Sequence, residues 1–335
     1  MVLDSAAGVE LLLDVGLQRQ ITGSAEVDIS LEGKRWSRRQ VLLARHSPSP
    51  AELDRAVATA VKSRYDGVYF VVGTAGLALR EAAQRDPRVA YAAVDRGVVS
   101  FLGEMYLAGD GQPDTTERPG RVSWTRFAIL RLFALRPQDP LTQSAIASRI
   151  GVSHVAVGKQ IPALGGLIER VPRGWRPVDR AACWDSFMAE YPGPRGLASY
   201  FVATGEPADQ LGRVERAVRA RLEEQLIVSG DFAADFYAPW RRPTRLIGYV
   251  SAEPPLERYG LAAARAADAT VELRVPRDPT IQVMSRIGVP GRGDAERCYA
   301  DPLIAAWDLS QSLGGDVEPA VAELRDRVMR ETLWP

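Results

Sequence analysis

The chain has 335 residues, too many for one ordinary core, and fits two or three domains of about 100–150 residues. Its 46% hydrophobic and 25% charged residues exclude wholesale disorder and fibrous repeats. Its 42 basic residues balance 42 acidic ones, so net charge alone gives no sign of a polyanionic partner. At the N-terminus, Asp4, Glu10 and Asp14 interrupt the short apolar run Leu11-Leu12-Leu13, and no secretion signal is expected. The longest uncharged apolar stretch, Val68 to Leu79, contains Gly73 and Gly76 and falls short of the roughly 20 residues a bilayer crossing needs. The expected location is the cytoplasm, with no membrane partner. Cys183 and Cys298 have no CxxC spacing and the only histidines are His46 and His154, so no metal site, disulfide or cofactor is expected. The cysteines read as small buried hydrophobes.

Residues 1–107 read as a mixed α/β unit. Residues 4–17 carry helical spacing, and Glu26–Leu31 and Gln40–Ala44 have strand character split by a turn at Gly33. Ser49-Pro50-Ala51-Glu52 is a helix-start signal, because serine can cap and proline suits the first turn. A buried strand at Gly67–Val72, a helix near 75–85 and a strand around Val89–Val94 complete an alternation that implies an α/β sheet. Residues 108–120, polar and rich in Gly and Pro, read as a linker.

Residues 121–190 read as three helices and a hairpin. Ser123 can cap a first helix that packs Phe127, Leu130, Leu132 and Phe133 inward. Leu141-Thr142 opens a second, Gly151 breaks it and Ser153 starts a third. The stretch from Gln143 to Pro162 has the pattern of a helix-turn-helix. Ala147 is small where two helices cross, Gly151 can take the positive φ of the turn, and Ile146, Ile150, Val152, Val157 and Ile161 form an apolar seam. Ser153, His154, Val155, Gly158 and Lys159 then face outward. In this motif that helix enters the major groove. Ser153 and His154 offer hydrogen bonds to base edges, Val155 can meet a thymine methyl, and Lys159 can reach a guanine edge or a phosphate. Gly158 and Pro162 weaken the end of the helix. Gln143 and Arg149 are further candidate contacts.

Leu167–Pro177 alternates apolar and basic residues around Arg173-Gly174, as a two-stranded wing would, with Arg170, Arg173 and Arg176 along a phosphate backbone or in the minor groove. Trp175 reads as the wing's anchor on the core. From Arg118 to Arg180 there are eleven basic residues against three acidic ones, a formal +8 on a neutral chain. That is the footprint of a phosphate-contacting module.

After the break at Tyr191-Pro-Gly-Pro-Arg-Gly196, residues 197–335 form a third segment. Val228-Ser-Gly-Asp231 opens a helix and Arg245–Val250 follows as a strand, an order similar to the start of a nucleotidyltransferase fold. That resemblance implies a pair of carboxylates on the strand for two metals, but Arg245, Ile247 and Gly248 stand near those positions. Asp231, Asp235 and Glu272 lack the spacing of a metal clamp. Arg241 and Arg242, beside Trp240, either contact a phosphate or partner or pair with Asp231 or Asp235. Asp301-Pro302 opens an amphipathic helix, and Val317–Met329 forms the last one.

Two family resemblances follow. Glu26-Val-Asp28, with Lys34 to Leu43 next to it, resembles the restriction-endonuclease-like PD-(D/E)xK fold, which places an Asp on one strand and D/E-x-K on its neighbour. Gln40-Val41-Leu42 stand at the triplet, leaving only Asp28, so the resemblance implies a scaffold without catalysis. An unrelated α/β domain is the other reading. The winged helix followed by Val-Ser-Gly-Asp-x-Ala-Ala-Asp, Pro-Trp-Arg-Arg-Pro-Thr, the Glu272–Pro276 strand and Ala300–Asp308 resembles the AbiEi-type antitoxins of bacterial type IV toxin–antitoxin systems over residues 121–330. That family implies a DNA-binding repressor of its own operon paired with a nucleotidyltransferase toxin.

The expected fold class is therefore α/β and α+β in several domains: a degenerate endonuclease-like α/β domain, a central winged helix-turn-helix and a degenerate nucleotidyltransferase-like domain. The expected function is sequence-specific transcriptional regulation by binding double-stranded DNA, without catalysis, the flanking domains sensing a signal or partner. The alternatives are an antitoxin that neutralises a nucleotidyltransferase toxin and represses its own operon, and a nuclease targeted by the winged helix. Single-stranded DNA, a cognate toxin and a second copy of the chain remain open as partners.

Overall fold

All six residues of Gly67–Val72 are buried, the mark of a central parallel strand covered on both faces. The computed structural model containing it describes residues 5–31, 35–108, 122–135, 140–286, 297–312 and 315–330. The chain divides into two compact units. The first comprises residues 1–120 with 196–199 and 251–253, and the second 121–195, 200–250 and 254–335. Most of the expected linker, 109–120, lies outside the described residues.

In the first unit, α1 (Ser5–Asp14) precedes β1 (Gln18–Gly23), β2 (Glu26–Ser30) and β3 (Ser37–Leu43). Then come α2 (Pro50–Lys62), β4 (Gly67–Val72), α3 (Leu77–Arg85), β5 (Val89–Ala93), β6 (Val98–Phe101) and β7 (Glu104–Leu107). The seven strands lie in chain order in one sheet. The first three form an antiparallel meander, β3, β4 and β5 run parallel, and β6 and β7 return antiparallel. Side chains alternate across the sheet. Val68, Phe70 and Val72 share a core with Leu53 and Val57 of α2 and Leu79 and Ala83 of α3. On the opposite face the Tyr69 hydroxyl donates to the carbonyl of Gly8 on α1 at 2.6 Å.

Helix α2 starts where the sequence indicates: the Glu52 carboxylate accepts from the Ser49 N–H at 2.8 Å and from its hydroxyl at 2.7 Å. The strands β1, β6 and β7 were not foreseen. In β1 the inward position Arg19 breaks the apolar alternation. It is buried because it pairs at 2.7 Å with Glu253, a residue of the same unit that is remote in sequence.

The second unit begins with α4 (Trp124–Leu135), α5 (Gln143–Ile150), α6 (His154–Gln160), the hairpin β8 (Ile168–Val171) and β9 (Gly174–Pro177), and α7 (Arg180–Glu190). It continues through β10 (Gly196–Val202), of which only 200–202 belong to this unit, α8 (Pro207–Leu222), β11 (Ile227–Ser229), α9 (Gly230–Tyr237) and β12 (Leu246–Tyr249). The last elements are β13 (Ala262–Ala263), β14 (Val271–Pro276), α10 (Thr280–Arg286), β15 (Cys298–Tyr299), α11 (Pro302–Ser310) and α12 (Val317–Arg330). A mixed six-stranded sheet has the order β13-β10-β14-β12-β11-β15.

The residues on either side of the 191–196 break share one core. Phe127, Ile129, Phe133, Ile146 and Phe187 pack in the same cluster as Tyr237, Met284, Leu303, Ile304 and Leu324. At its centre lies a buried polar knot. Arg131 of α4, wholly inaccessible, pairs with Asp301 at 2.6 Å, lies 3.5 Å from Asp278 and donates to the Thr280 hydroxyl at 3.0 Å. Asp278 also accepts from the Tyr191 hydroxyl at 3.0 Å and the Thr280 N–H at 2.9 Å. Burial opposes the charge of Arg131, but the two carboxylates outweigh it and hold its pKa above the ordinary arginine value. Asp301 meanwhile caps α11, as its sequence position indicates, by accepting from the N–H groups of Leu303 and Ile304. Among the described residues no helix is long and apolar enough to cross a membrane.

Candidate nucleic-acid interface

Helices α4, α5 and α6 and the β8–β9 hairpin have the element order of a winged helix. The Thr142 hydroxyl accepts from the Ala145 N–H at 3.1 Å and so starts α5. Gly151 ends it with φ +68°, and the Ser153 hydroxyl starts α6 by accepting from the Ala156 N–H at 3.2 Å. A methyl at Gly151 would stand 2.7 Å from Val283 Cγ2 on α10, so a side chain in the turn would force Val283 to shift. Gly151→Ala is expected to cost at least about 1–2 kcal/mol from the left-handed backbone alone, with the clash added, read as a lowered thermal unfolding midpoint.

The seam is buried: Ile146, Ile150, Val157 and Ile161 lie in the core and Val152 packs against it. What remains outside on α6 is Ser153, His154 and Lys159, all exposed, and Val155 at 52% exposure. The α-helix ends at Gln160 and continues as a short 3-10 turn over Ile161–Leu164, where Pro162 sits in the first turn. Gln143 is half-buried at the start of α5, and its amide borders Gly158. In the wing, Trp175 exchanges backbone hydrogen bonds with Leu141, both at 2.8 Å, and its half-buried ring packs on the core.

Among the described residues between 118 and 180, fewer cations stand exposed and unpaired than the residue count implies. Arg118, Arg121 and Arg136 lie outside the described residues. Arg126 pairs with Glu190 at 2.9 Å, Arg131 is held in the buried knot, and Arg180 donates to the carbonyls of Ala134 at 3.0 Å and Val328 at 2.8 Å. Arg176, a candidate wing contact, pairs with Glu169 across the hairpin at 2.7 Å. Arg149 is half-buried and donates to the Ala145 carbonyl at 3.3 Å. Lys159, Arg170 and Arg173 remain exposed with no ion-pair partner among the described residues. These three cations on α6 and the β8–β9 hairpin have the charge that a phosphate backbone would take.

Most of the carboxylates in the two regions that the sequence likens to enzyme folds are paired. In the first unit, Asp28 faces Arg38 across the β2–β3 ladder and pairs with it at 3.2 Å. Glu26 faces Gln40 and accepts from the Tyr65 hydroxyl. A guanidinium thus stands beside Asp28, where a metal-dependent site would gather further carboxylates. In the second unit, Ser229, Tyr249 at 2.8 Å and Arg274 all donate to the buried Asp308. Burial pushes the Asp308 carboxyl up, and Arg274 opposes that rise. Glu272 bridges Arg245 at 2.9 Å and Arg274 at 2.5 Å.

Asp231 accepts from the Thr244 N–H at 3.0 Å and hydroxyl at 2.9 Å, with Arg241 at 3.6 Å. Arg241 also pairs with Asp316 at 2.9 Å, which assigns it to holding this loop, whereas Arg242 and Trp240 are exposed. The motifs that contain Arg274 and Asp308 gave no sign that the two pair, because Asp308 sits within an apolar helix and its partners come from three other elements. Among the described residues no group of three or more His, Cys, Asp or Glu is placed to hold a metal ion. Comparison with protein-family models, curated proteins and solved structures finds no match to this chain.

Proposed function

We propose that this chain is a sequence-specific transcriptional regulator that binds double-stranded DNA and carries out no catalysis. The observation that carries this reading is the division of α6: its seam is buried, while His154, Val155 and Lys159 stand exposed on one element, and the hairpin that follows it in the chain exposes Arg170 and Arg173. A short helix whose outer face offers a donor, an apolar group and a cation matches the mixed edge chemistry of the major groove. Selection of genomic fragments by the full-length protein tests it. Recovery of a shared sequence motif is the expected result, and recovery no better than random contradicts it.

The strand order of the first unit, an antiparallel meander joined through α2 to a parallel strand, supports an endonuclease-like ancestry, and the Arg38–Asp28 pair supports its having no nuclease role. Purified protein with Mg²⁺ is expected to leave duplex DNA uncut, and Asp28→Ala to bind DNA as the unaltered protein does. Magnesium-dependent cleavage abolished by Asp28→Ala contradicts this part of the reading.

The antitoxin reading draws support from one coincidence of extent. The stretch resembling AbiEi-type antitoxins, 121–330, is almost the whole of the second compact unit, and its loop exposes Trp240 and Arg242. A nucleotidyltransferase toxin co-purifying with this chain, and lost on Trp240→Ala with Arg242→Ala, would favour it.

A further inference from the structure

The outer face of α6 is uneven. Val155 and Lys159 are one turn apart on the same side, and Gly158, three residues after Val155, leaves that side without a side chain. A methyl built on Gly158 would meet only Gln143, at 3.6 Å from Oε1 and 4.0 Å from Nε2. The half-buried backbone at Gly158 therefore forms a notch bordered by the Gln143 amide, with Val155 one turn earlier on the same side of the helix. Val155 is 52% exposed, a β-branched apolar side chain set between the polar residues His154 and Lys159. The only apolar group that the four standard base pairs present in the major groove is the C5-methyl of thymine.

We propose that the Val155–Gly158–Gln143 notch seats a thymine methyl, so that the protein requires a thymine at one position of its site and distinguishes it from uracil. This rests on the DNA-binding reading above. Gly158 is then a specificity residue, kept small so that the base edge can approach the helix backbone. Its lack of a side chain is not required by the fold, since an alanine methyl would make only ordinary contact with Gln143. Exchange of glycine for alanine inside a helix is itself favourable.

The test uses the full-length protein and a duplex it selects from a random-sequence library, resynthesised with deoxyuridine replacing each thymidine in turn. One position is expected to lose about fourfold in affinity, the size expected for one buried methyl, and the others to change less than twofold. Val155→Ala should bind the thymidine and deoxyuridine duplexes alike. Gly158→Ala should keep or raise the thermal unfolding midpoint while weakening binding to the thymidine duplex about tenfold or more. Indifference to every deoxyuridine replacement, or a Val155→Ala protein that keeps the fourfold preference, overturns the proposal while leaving DNA binding intact. If the library yields no preferred duplex, the DNA-binding reading falls and this proposal with it.

Discussion

Replacing Arg131 by alanine is expected to destabilise the second unit by about 3–5 kcal/mol, because it strands buried carboxylates without their counter-charge. Asp301 and Asp278 are both inaccessible, and the guanidinium pairs with one at 2.6 Å and with the other at 3.5 Å. Asp301 keeps its two capping bonds and Asp278 its bonds from Tyr191 and Thr280, but neither set supplies a positive charge. Urea unfolding checks the value. A loss below about 0.5 kcal/mol, the range of ordinary surface changes, would mean that the knot contributes little. The same contacts predict that a fragment ending at residue 191 does not fold alone. It would expose the faces of α4 and α5 that pack on α10 and α12, and the face of α7 that packs on α11.

The second large effect concerns Lys159, Arg170 and Arg173. Each cation that neutralises one phosphate contributes about 0.9 to the dependence of log K on log salt. Removal of all three by alanine substitution is therefore expected to weaken DNA binding about 10²–10³-fold at 0.1 M salt. The fold should be unaffected, since all three side chains are exposed and none has an ion-pair partner among the described residues. Removal of Arg176 should cost less, because its guanidinium already pairs with Glu169.

What the sequence made legible was what depends on neighbours in the chain. Thr142, Gly151 and Ser153 mark the helix-turn-helix because capping and the left-handed turn act over three or four residues, and Ser49 with Glu52 and Asp301 did the same elsewhere. What stayed hidden depends on distant partners. Arg131 counted toward a basic face until Asp301, 170 positions away, turned it into a buried tie. Arg19 disguised β1 because Glu253, 234 positions away, permits its burial. The charge count overstates the exposed cations among the described residues for the same reason, since sign and number are local properties and pairing is not. The outward residues of α6 were legible from helical spacing, but the notch at Gly158 needed the position of Gln143 on the preceding helix.

The central claim is that α6 and its wing engage a DNA backbone, and the salt dependence of duplex binding tests it most directly. Titration of a selected duplex between 50 and 200 mM salt is expected to give a slope of log K against log salt of about −3 per bound chain, one unit for each exposed cation. It should shrink by about one unit with each of Lys159→Ala, Arg170→Ala and Arg173→Ala. Absence of binding at 50 mM salt, or a slope unchanged by all three substitutions, would contradict the account.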